Sequence, residues 1–538
     1  MNVATRFSAS IGALLLAVSI SQAATVSGTV KGPDGAPFQG AFVQAQKSST
    51  RITVSVLSDR QGHYEVPNLP AGEYTLRIKA VGYKAGPQNG IKLSADQAAS
   101  ADFALQKGMV RWSDLSRYQG ERLLPDGKGK EILESRCFIC HDFQSKMASV
   151  TRDADGWRDR IEFMRSSMKF TLGGRFSDDD ENIVVQYLTS AFGPDATIPK
   201  SPADLPAYQS LKHAPFSDDA MKIVYVEYDM PTRNKMPFSA APDKNGIVWI
   251  PEFGDNNKLA RLDPKTAHID EYPVPNQGTA AIHSAYPGPD GMVWMAEQGS
   301  NKLAKFDPAT KEVTEYQDAY LPGKEGSASG GAKHTVRSDT YGVWATGGPG
   351  GGTLVRFDTG TRKFTHIPDT DGGYGLVLDK DGNCWYAEFK ENGKLGKIDG
   401  KTLKVSKWAV PTPDGRPRRL TLAPDGSVWF AEFTGGKIGH FDPKTETMKE
   451  WSLPGQHPTP YAFGMDSHGD LWYASADTDV VGRLDPKTGQ VTEYPFTHAE
   501  ITMREFFQDP QGRLWFGSAA NDKVGYFYLA SNTEHASK

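Results

Sequence analysis

The chain has 538 residues, of which 38% are hydrophobic and 23% charged, so it can bury apolar cores and is not a disordered polypeptide. Its 55 glycines and 35 prolines favour turns and short strands over long helices. A net charge of −5 argues against a nucleic-acid-binding surface, and only three cysteines exclude a disulfide scaffold.

The first 23 residues have the pattern of a signal peptide. Arg6 precedes an apolar run at 11–20, and the small residues at 21–23 form a cleavage-type end. The alternative is a membrane anchor, but the run is too short to cross a bilayer comfortably, and no later stretch is long enough. We expect cleavage after Ala23, export, and no integral membrane segment in the mature chain.

Residues 24–107 alternate short apolar strands with turns, as at 26–30, 32–35 and 74–78. This spacing predicts a small β-sandwich. The sequences Gly-Thr-Val, Gly-His-Tyr and Pro-Ala-Gly-Glu-Tyr in this stretch resemble the carboxypeptidase regulatory-like domain. The resemblance implies a spacer or binding module without catalysis.

Residues 108–195 contain fewer turns, and helical patterns appear in them. Ser177 begins a capping box, apolar residues follow at helical spacing to Phe192, and Gly193-Pro194 ends the helix. An earlier helix carries an apolar stripe formed by Trp157, Ile161, Met164 and Met168. We predict a small all-α domain here, followed by a Pro- and Ser-rich linker at 196–220.

This helical stretch contains Cys137-Phe138-Ile139-Cys140-His141, the CxxCH signature of c-type haem attachment. Two thiols at this spacing can bond to the two haem vinyl groups, and the following imidazole can bind the iron. The alternatives are a disulfide, a redox dithiol or half of a zinc site, but no second CxxC and no thioredoxin-like pattern accompanies it. The motif predicts one covalent haem c on Cys137 and Cys140, with His141 as the proximal iron ligand.

The surrounding segment, from Gly-Lys-Gly-Lys at 127–130 to Phe-Gly-Pro at 192–194, resembles a small cytochrome c domain. The resemblance places a methionine ligand at Met164, seven residues after Trp157. Met168, one turn further on the same helix face, is the alternative, and Met147 is a further one. With the export signal, this motif favours the bacterial periplasm.

Residues 221–538 repeat a turn followed by a tryptophan-containing strand at intervals of 41 to 50 residues. Seven units of four short strands are typical of a seven-bladed β-propeller. The last unit lacks its outer strand, and the strand predicted at 223–228 can supply it and remove an exposed edge. The repeated tryptophans are Trp249, Trp294, Trp344, Trp385, Trp429, Trp472 and Trp515.

The blade sequences, such as Trp-Phe-Ala-Glu-Phe, resemble the virginiamycin B lyase (streptogramin lyase) family. The resemblance implies metal-assisted elimination by Glu and His residues on one propeller face, although the family's Glu-Pro-His-Gly pattern is absent here. Glu at the third position after the tryptophan is expected near the central channel, unless it is only a structural residue of the repeat. The candidates for substrate or divalent-metal binding are Glu252, Glu297, Glu388, Glu432, His283, His334, Tyr374, Arg418 or Arg419, Tyr461 and Arg504.

Together these features predict three domains: an N-terminal β-sandwich, a small cytochrome c domain and a C-terminal seven-bladed propeller. The predicted function is electron transfer by a c-type cytochrome whose propeller binds an organic substrate or a redox partner protein. The alternatives are a metal-dependent lyase on the propeller and a non-enzymatic protein that docks a redox partner. Cys384, next to a repeat tryptophan, is interpreted as a buried strand residue without a role.

Overall fold

The computed structural model describes residues 23–138, 142–167, 176–254, 257–275, 280–318, 333–340, 342–348 and 352–530. The chain is mostly β, and its helices lie between the two β-rich regions. No helix among the described residues is long and apolar enough to cross a bilayer. Residues 1–22 of the predicted signal peptide, Cys140, His141 and Met168 lie outside the described residues.

The N-terminal region is sandwich-like, because two sheets enclose a shared apolar core that includes Val26, Val43 and Tyr74. The strands are β1 (Ala24–Lys31), β2 (Phe42–Lys47), β3 (Ile52–Leu57), β4 (His63–Leu69), β5 (Gly72–Lys79), β6 (Tyr83–Lys84), β7 (Gln88–Leu93), β8 (Ala98–Ser100), β9 (Phe103–Ala104) and β10 (Gln106–Lys107). In one sheet β4, β1 and β8 are neighbours; in the other the order is β3-β2-β5-β7.

A small helical unit follows, with its own apolar core around Trp112, Phe143 and Trp157. The predicted capping box is present, since the Ser177 hydroxyl accepts from the Asp180 N–H at 3.0 Å and the Asp180 carboxylate accepts from the Ser177 N–H at 3.0 Å. The helices are α1 (Arg117–Leu123), α2 (Lys128–Ile132), α3 (Ala154–Ser167) and α4 (Asp178–Phe192), with π-helical turns at Leu133–Cys137 and Gln144–Ala148 and a 3₁₀ turn at Trp112–Asp114.

The first part of the segment 196–220, predicted as a linker, folds onto this helical unit, and its end packs against the sixth and seventh blades, where Ala220 is buried. The Trp112 indole donates to the Pro199 carbonyl at 2.7 Å, and Tyr208 is buried in the helical core. Pro and Ser here begin short 3₁₀ turns instead of a free linker, because their neighbours Tyr208 and Leu211 are apolar. The turns are Pro202–Asp204, Pro206–Leu211 and Asp219–Lys222.

The remaining strands form seven four-stranded units whose inner strands contact one another in a closed ring. The first three blades are β12 (Ala241–Pro242), β13 (Val248–Glu252), β14 (Lys258–Asp263), β15 (His268–Pro273); β16 (Ile282–Pro287), β17 (Val293–Glu297), β18 (Lys302–Phe306), β19 (Val313–Gln317); and β20 (Val336–Ser338), β21 (Val343–Ala345), β22 (Val355–Asp358), β23 (Lys363–His366). The next three are β24 (Gly373–Leu378), β25 (Cys384–Glu388), β26 (Lys394–Ile398), β27 (Val405–Ala409); β28 (Pro417–Leu422), β29 (Val428–Glu432), β30 (Lys437–Asp442), β31 (Thr447–Ser452); and β32 (Pro460–Met465), β33 (Leu471–Ser475), β34 (Val480–Leu484), β35 (Val491–Pro495). The seventh blade is β36 (Phe507–Gln508), β37 (Leu514–Ser518), β38 (Lys523–Leu529) and β11 (Ile223–Asp229).

The seventh blade confirms the predicted ring closure. Strand β11 pairs antiparallel with β38, with Ile223 opposite Leu529 and Tyr225 opposite Phe527. The other edge of β11 is also covered, because it pairs with β3 of the sandwich, Tyr225 lying opposite Ser55. One eight-stranded sheet therefore joins the N-terminal region to the propeller.

The repeated tryptophans are anchored by the turn that precedes them. In the sixth blade the Asp466 carboxylate accepts from the N–H groups of His468 (2.9 Å) and Asp470 (3.0 Å) and from the Trp472 indole (2.8 Å). Gly469 takes a φ of 85° in this turn, which favours glycine. The same carboxylate–indole bond joins Asp243–Trp249, Asp290–Trp294, Asp379–Trp385 and Asp509–Trp515.

Candidate functional site

In the second to seventh blades one of the predicted ring residues lies at or just before the beginning of the inner strand, and the structure brings these side chains together in the channel. We call the set the channel ring. The imidazoles of His283 and His334 stack with their centroids 3.5 Å apart, and the Tyr374 ring lies 4.2 Å from His334. The ring consists of His283, His334, Tyr374, Arg418, Tyr461 and Arg504.

The first blade contributes Phe238, which the sequence analysis did not identify. Phe238 stacks on Phe253 at 4.2 Å and meets His283 edge-on at 5.1 Å, and the Arg504 guanidinium lies 4.0 Å from its centroid. Phe238 is therefore a further member of the ring. Among the described blades, only the first has an apolar residue at this position. The sequence feature that could have identified Phe238 is its position three residues before β12.

The two histidines are held neutral. The Nδ1–H of His283 donates to the His334 carbonyl at 3.0 Å, which fixes the tautomer of His283. Burial lowers the pKa of His283 well below its usual value, and the charge of Arg419 lowers it further. Burial likewise lowers the pKa of His334, with contributions from His283 and Arg419.

The other side of the ring joins two tyrosines to two arginines. The hydroxyls of Tyr374 and Tyr461 are hydrogen-bonded to each other, Arg418 Nη2 donates to the Tyr374 hydroxyl at 2.9 Å, and Arg504 Nη1 donates to the Tyr461 hydroxyl at 2.6 Å. Burial raises the pKa of the Tyr461 phenol, but the charges of Arg418, Arg504 and Arg419 outweigh it and lower the pKa to about 7. This arrangement stabilises negative charge on an oxygen.

Below the ring lies a second polar layer centred on Glu505. Its carboxylate accepts from Arg419 Nη1 at 2.8 Å and from Arg337 Nη2 at 2.9 Å, and Arg419 Nη1 also lies 2.8 Å from Thr335 Oγ1. The two guanidinium groups lower the pKa of Glu505 although burial raises it. Of the two residues proposed for this blade, Arg418 thus lies in the ring and Arg419 in this deeper layer.

An aromatic collar surrounds Arg418. Its guanidinium carbon lies 3.4 Å from the Tyr461 centroid, 4.3 Å from Phe389 and 4.4 Å from Phe433. Phe389 and Phe433 are half-buried and each follows the glutamate at the end of a second strand. The sequence analysis selected the glutamate of the Glu-Phe pair, whereas strand alternation turns the phenylalanine towards the channel.

The four glutamates, which we expected near the channel, lie at the ends of second strands, and two of them, Glu297 and Glu388, are bonded within their own blades. Glu388 binds Lys407 Nζ at 2.8 Å and accepts from the Lys394 N–H at 3.2 Å. Glu297 accepts from the Ser300 hydroxyl at 2.6 Å. Residues of the same blade, such as Lys407 of the outer strand, act as partners of these carboxylates. This supports the alternative that the glutamates are structural residues of the repeat.

Glu252 and Glu432 each lie beside a second carboxylate of the outer strand. Burial and the neighbouring Glu271 raise the pKa of Glu252 to about 8, and burial and Glu450 raise that of Glu432 to about 8. The outer carboxylates are themselves bonded to lysine, Glu271 to Lys258 at 2.5 Å and Glu450 to Lys437 at 2.9 Å. These acid pairs are part of the blade framework.

Within the described ranges, no group of three or more His, Cys, Asp or Glu side chains is placed to hold a metal ion. His283 and His334 are adjacent, but the charged groups around them are arginines. The ring therefore has the composition of an anion-binding or phenolate-stabilising site more than that of a divalent-cation site.

The segment around the CxxCH motif is bonded to the propeller. The Glu500 carboxylate accepts from the N–H groups of Asp142 (3.1 Å) and Ser145 (2.8 Å), which follow the motif. In α1, the Tyr118 N–H donates to the Asp477 carbonyl at 2.8 Å. The contacts on the propeller side come from the loops of its sixth and seventh blades.

These loops lie on the propeller face where the inner strands begin, which we call the upper face. Inner strands begin opposite the ends of second strands, as Pro460 lies opposite Ser475. The Asp477 N–H donates to the Thr459 hydroxyl at 2.9 Å, two residues before Tyr461 in the ring. The CxxCH segment and the channel ring therefore belong to the same face.

The helical unit has features that fit a bound haem. Cys137 is half-buried at the end of a π-helical turn, and Met164 is half-buried on α3. The Trp157 indole N–H and the Gln144 amide oxygen are buried and have no hydrogen-bond partner in the described part of the chain. Unsatisfied buried polar atoms beside an apolar core are consistent with a missing polar partner such as a haem carboxylate.

Comparisons with known proteins agree with the two β-rich regions. Residues 360–536 match the model of the virginiamycin B lyase family, and residues 25–106 match that of the carboxypeptidase regulatory-like domain. A virginiamycin B lyase from Staphylococcus aureus has 22% identity and a TM-score of 0.50, covering 57% of this chain and 99% of its own. A streptogramin B lyase structure has 21% identity and a TM-score of 0.51, covering 58% of this chain and 100% of its own.

At this identity the two structures show the fold of the propeller region alone. Neither family match covers the helical unit, so the cytochrome c domain stays a prediction from the sequence. No curated protein sequence matches the chain.

Proposed function

We propose that this protein is an exported c-type cytochrome that transfers electrons in the periplasm, with a propeller that binds an organic electron donor or a redox partner protein. The observation that carries the proposal is the bonding of the CxxCH segment to the upper face, through Glu500 and Asp477. That face also carries the channel ring, so a molecule bound at the ring lies on the side of the propeller to which the haem segment is attached.

In this proposal Cys137 and Cys140 hold the haem covalently, His141 is its proximal ligand and Met164 the distal one, with Met168 as the alternative. Bound there, haem c supplies a one-electron carrier. The Arg117 side chain, which donates to the Phe138 carbonyl at 3.2 Å, and Glu500 fix the backbone within the motif and just after it. A haem held by His141 and Met164 would supply outer-sphere electron transfer, which is the chemistry we assign to this chain.

The ring supports binding of an electron-rich organic molecule. Tyr461 and the neutral imidazoles of His283 and His334 supply hydrogen-bonding groups, while Phe389 and Phe433 supply flat apolar surface. Proton acceptance by the Tyr461 oxygen fits a donor that loses a proton together with an electron, because the nearby arginines stabilise the phenolate form.

A metal-dependent lyase is the second candidate, since residues 360–536 match the virginiamycin B lyase family. It would need a divalent cation at the ring, and two of the proposed carboxylates, Glu297 and Glu388, are bonded inside their blades. The electron-transfer proposal needs no such ion.

The haem attachment is tested first. Full-length protein exported to a periplasm with haem c maturation should give a haem-stained band after denaturing electrophoresis, and the Cys137→Ala/Cys140→Ala variant should not. Removal of all haem from the wild-type protein by acid and organic solvent would show that the attachment is not covalent and that the proposal is wrong.

Function is then tested by anaerobic mixing with candidate phenolic and hydroquinone donors. A true donor should reduce the haem, and Arg418→Gln or His334→Phe should slow the reduction at least tenfold without changing the resting spectrum. Arg261→Gln, a blade-surface arginine paired with Asp270, is the matched control and should react as the wild type. Turnover of a cyclic depsipeptide by the haem-free variant, blocked by a chelator, would establish the lyase instead.

A further inference from the structure

The hairpin that joins β5 to β6 ends in a tight turn with an apolar residue at its tip. The Tyr83 N–H donates to the Ala80 carbonyl at 3.0 Å, so Val81 and Gly82 are the central residues of the turn. Gly82 has a φ of 78°, which favours glycine at the third position of such a turn. The Val81 side chain is 50% exposed. A backbone of fixed conformation therefore presents a valine to the surroundings.

A second segment brings another apolar side chain to the same place. Strand β10 pairs antiparallel with β6, with Lys107 opposite Tyr83, and the Gly108 N–H donates to the Gly82 carbonyl at 2.8 Å. Met109, the next residue, is 57% exposed. Only four large apolar side chains among the described residues are exposed, and the fourth, Phe163, lies on α3. The other three form what we call the apolar tip: Val81, Tyr83 and Met109.

This grouping differs from the usual distribution of exposed apolar residues. Single exposed apolar side chains are common on soluble proteins, whereas a group of them marks a surface that contacts another body. Three of the four lie on two short segments that are hydrogen-bonded to each other. The apolar tip is therefore a candidate interaction surface.

Positive charge borders the apolar tip. Lys84 and Lys107 lie on the two strands that lead to it, and both are exposed. Neither lysine has an ion pair within the part of the chain that the structure describes. The charge of Arg111 is balanced by Asp114, whose carboxylate lies 2.6 Å from its guanidinium. The chain as a whole carries −5, but salt screens charges more than about 10 Å away, so the local charge decides what approaches the tip.

Exposed apolar side chains with lysines behind them suit the surface of a lipid bilayer. The apolar groups can enter the boundary between headgroups and acyl chains, while the lysine stems reach back and keep their ammonium groups at the lipid phosphates. The ring and hydroxyl of Tyr83 match the apolar and wet sides of this boundary. The uncompensated charge of Lys84 and Lys107 favours anionic lipid.

We infer that the apolar tip inserts into the surface of an anionic phospholipid bilayer, with Lys84 and Lys107 at the lipid phosphates. The 3₁₀ turn that opens the helical unit begins three residues after Met109, so this contact holds the CxxCH unit close to the membrane. The inference goes beyond the proposed function and does not depend on the haem.

The test is sedimentation of the mature protein, residues 24–538, with phospholipid vesicles. We expect binding at least tenfold tighter to vesicles of equal parts phosphatidylcholine and phosphatidylglycerol than to vesicles of phosphatidylcholine alone. Val81→Ser/Met109→Ser, which removes apolar surface without changing the charge, should weaken binding to the anionic vesicles at least tenfold. Lys84→Glu/Lys107→Glu should weaken it at least tenfold as well, because it reverses the charge beside the tip.

The matched control is Lys401→Glu/Lys404→Glu, at two exposed lysines between β26 and β27, which makes the same change in net charge and should bind as the wild type does. All the substituted side chains are exposed, so the melting temperatures should stay the same. The inference is overturned if the wild type does not bind the anionic vesicles, if the double-serine variant binds them equally well, or if the control loses as much binding as Lys84→Glu/Lys107→Glu. A dimer that depends on the apolar tip, without vesicle binding, would assign the surface to a second copy of the chain instead. Loss of haem with vesicle binding intact would refute only the proposed function.

Discussion

Tyr225 of β11 joins three parts of the molecule, and its substitution tests the ring closure. The side chain is fully buried. Its ring lies 5.3 Å from Phe496 of the sixth blade, 6.0 Å from Phe527 of the seventh and 6.2 Å from Phe42 of the sandwich. Its hydroxyl donates to the Pro495 carbonyl at 3.0 Å. Loss of this ring should therefore loosen all three parts together.

The magnitude follows from two separate contributions. Removing a buried aromatic ring costs roughly 3–5 kcal/mol because a cavity remains, and removing only the hydroxyl costs about 1 kcal/mol. We expect Tyr225→Phe to lower the free energy of unfolding by about 1 kcal/mol. Tyr225→Ala should lower it by roughly 4–6 kcal/mol, since it also leaves the Pro495 carbonyl without its donor.

The assay is guanidinium chloride unfolding followed by tryptophan fluorescence, which reports on the blade indoles, five of which are bonded to a turn aspartate. Tyr83→Ala, at a side chain that is 36% exposed, is the control and should change the free energy by less than about 0.5 kcal/mol. If Tyr225→Ala unfolds at the same denaturant concentration as Tyr83→Ala, then β11 does not close the propeller.

Three further predictions concern the blades and the ring. The pKa values of Glu252 and Glu432 are raised from 4.5 to about 8, so these groups contribute their full stability below pH 4.5 and lose it as the pH rises through 8. The melting temperature of the wild type should therefore fall between pH 4.5 and 8, and in Glu432→Gln it should fall less over the same range. Tyr461 should give a tyrosinate absorbance that appears near pH 7 and is absent in Tyr461→Phe, whereas titration only near pH 10 would contradict the ring electrostatics. Asp466→Ala should destabilise the sixth blade by about 1–3 kcal/mol, because the Trp472 indole and two turn N–H groups lose their acceptor, and an unchanged melting temperature would count against the anchoring role.

The propeller could be predicted from the sequence because its repeat is local. A turn aspartate, a glycine with positive φ and a tryptophan lie within seven residues, as at Asp466, Gly469 and Trp472, and their bonds recur blade after blade. The closing strand could also be predicted, since the seventh unit visibly lacked a fourth strand. What the repeat could not predict was the partner on the far edge of that strand. Pairing of β11 with β3 joins residues far apart in the chain, and either strand alone is consistent with a free edge.

The candidate site shows the same limit at the level of side chains. Residues at the start of the inner strands converge wherever the ring closes, so His283, His334 and Tyr461 could be identified from repeat position alone. The direction of the glutamates could not, because it depends on partners in the outer strands. Glu388 turns to Lys407 of β27, a residue that no motif connects with it. The packing of the segment 196–220 could not be predicted for a similar reason, since Tyr208 is buried by helices that precede it by many residues.

The charge of the ring separates this propeller chemically from a cation-dependent one. A site for a divalent metal needs carboxylates facing the imidazoles, because each nearby positive charge opposes the ion by a few kcal/mol at an effective dielectric constant of about 20. Here Arg418 lies in the ring and Arg419 in the layer below it, and their charges, which add to burial in lowering the pKa of His283 and His334, would repel the metal. They would instead stabilise an anion or a deprotonated phenol. A propeller fold shared with lyases can therefore carry a ring of positive electrostatic sign, and the proposed binding of an organic electron donor rests on the side chains of the ring more than on the fold.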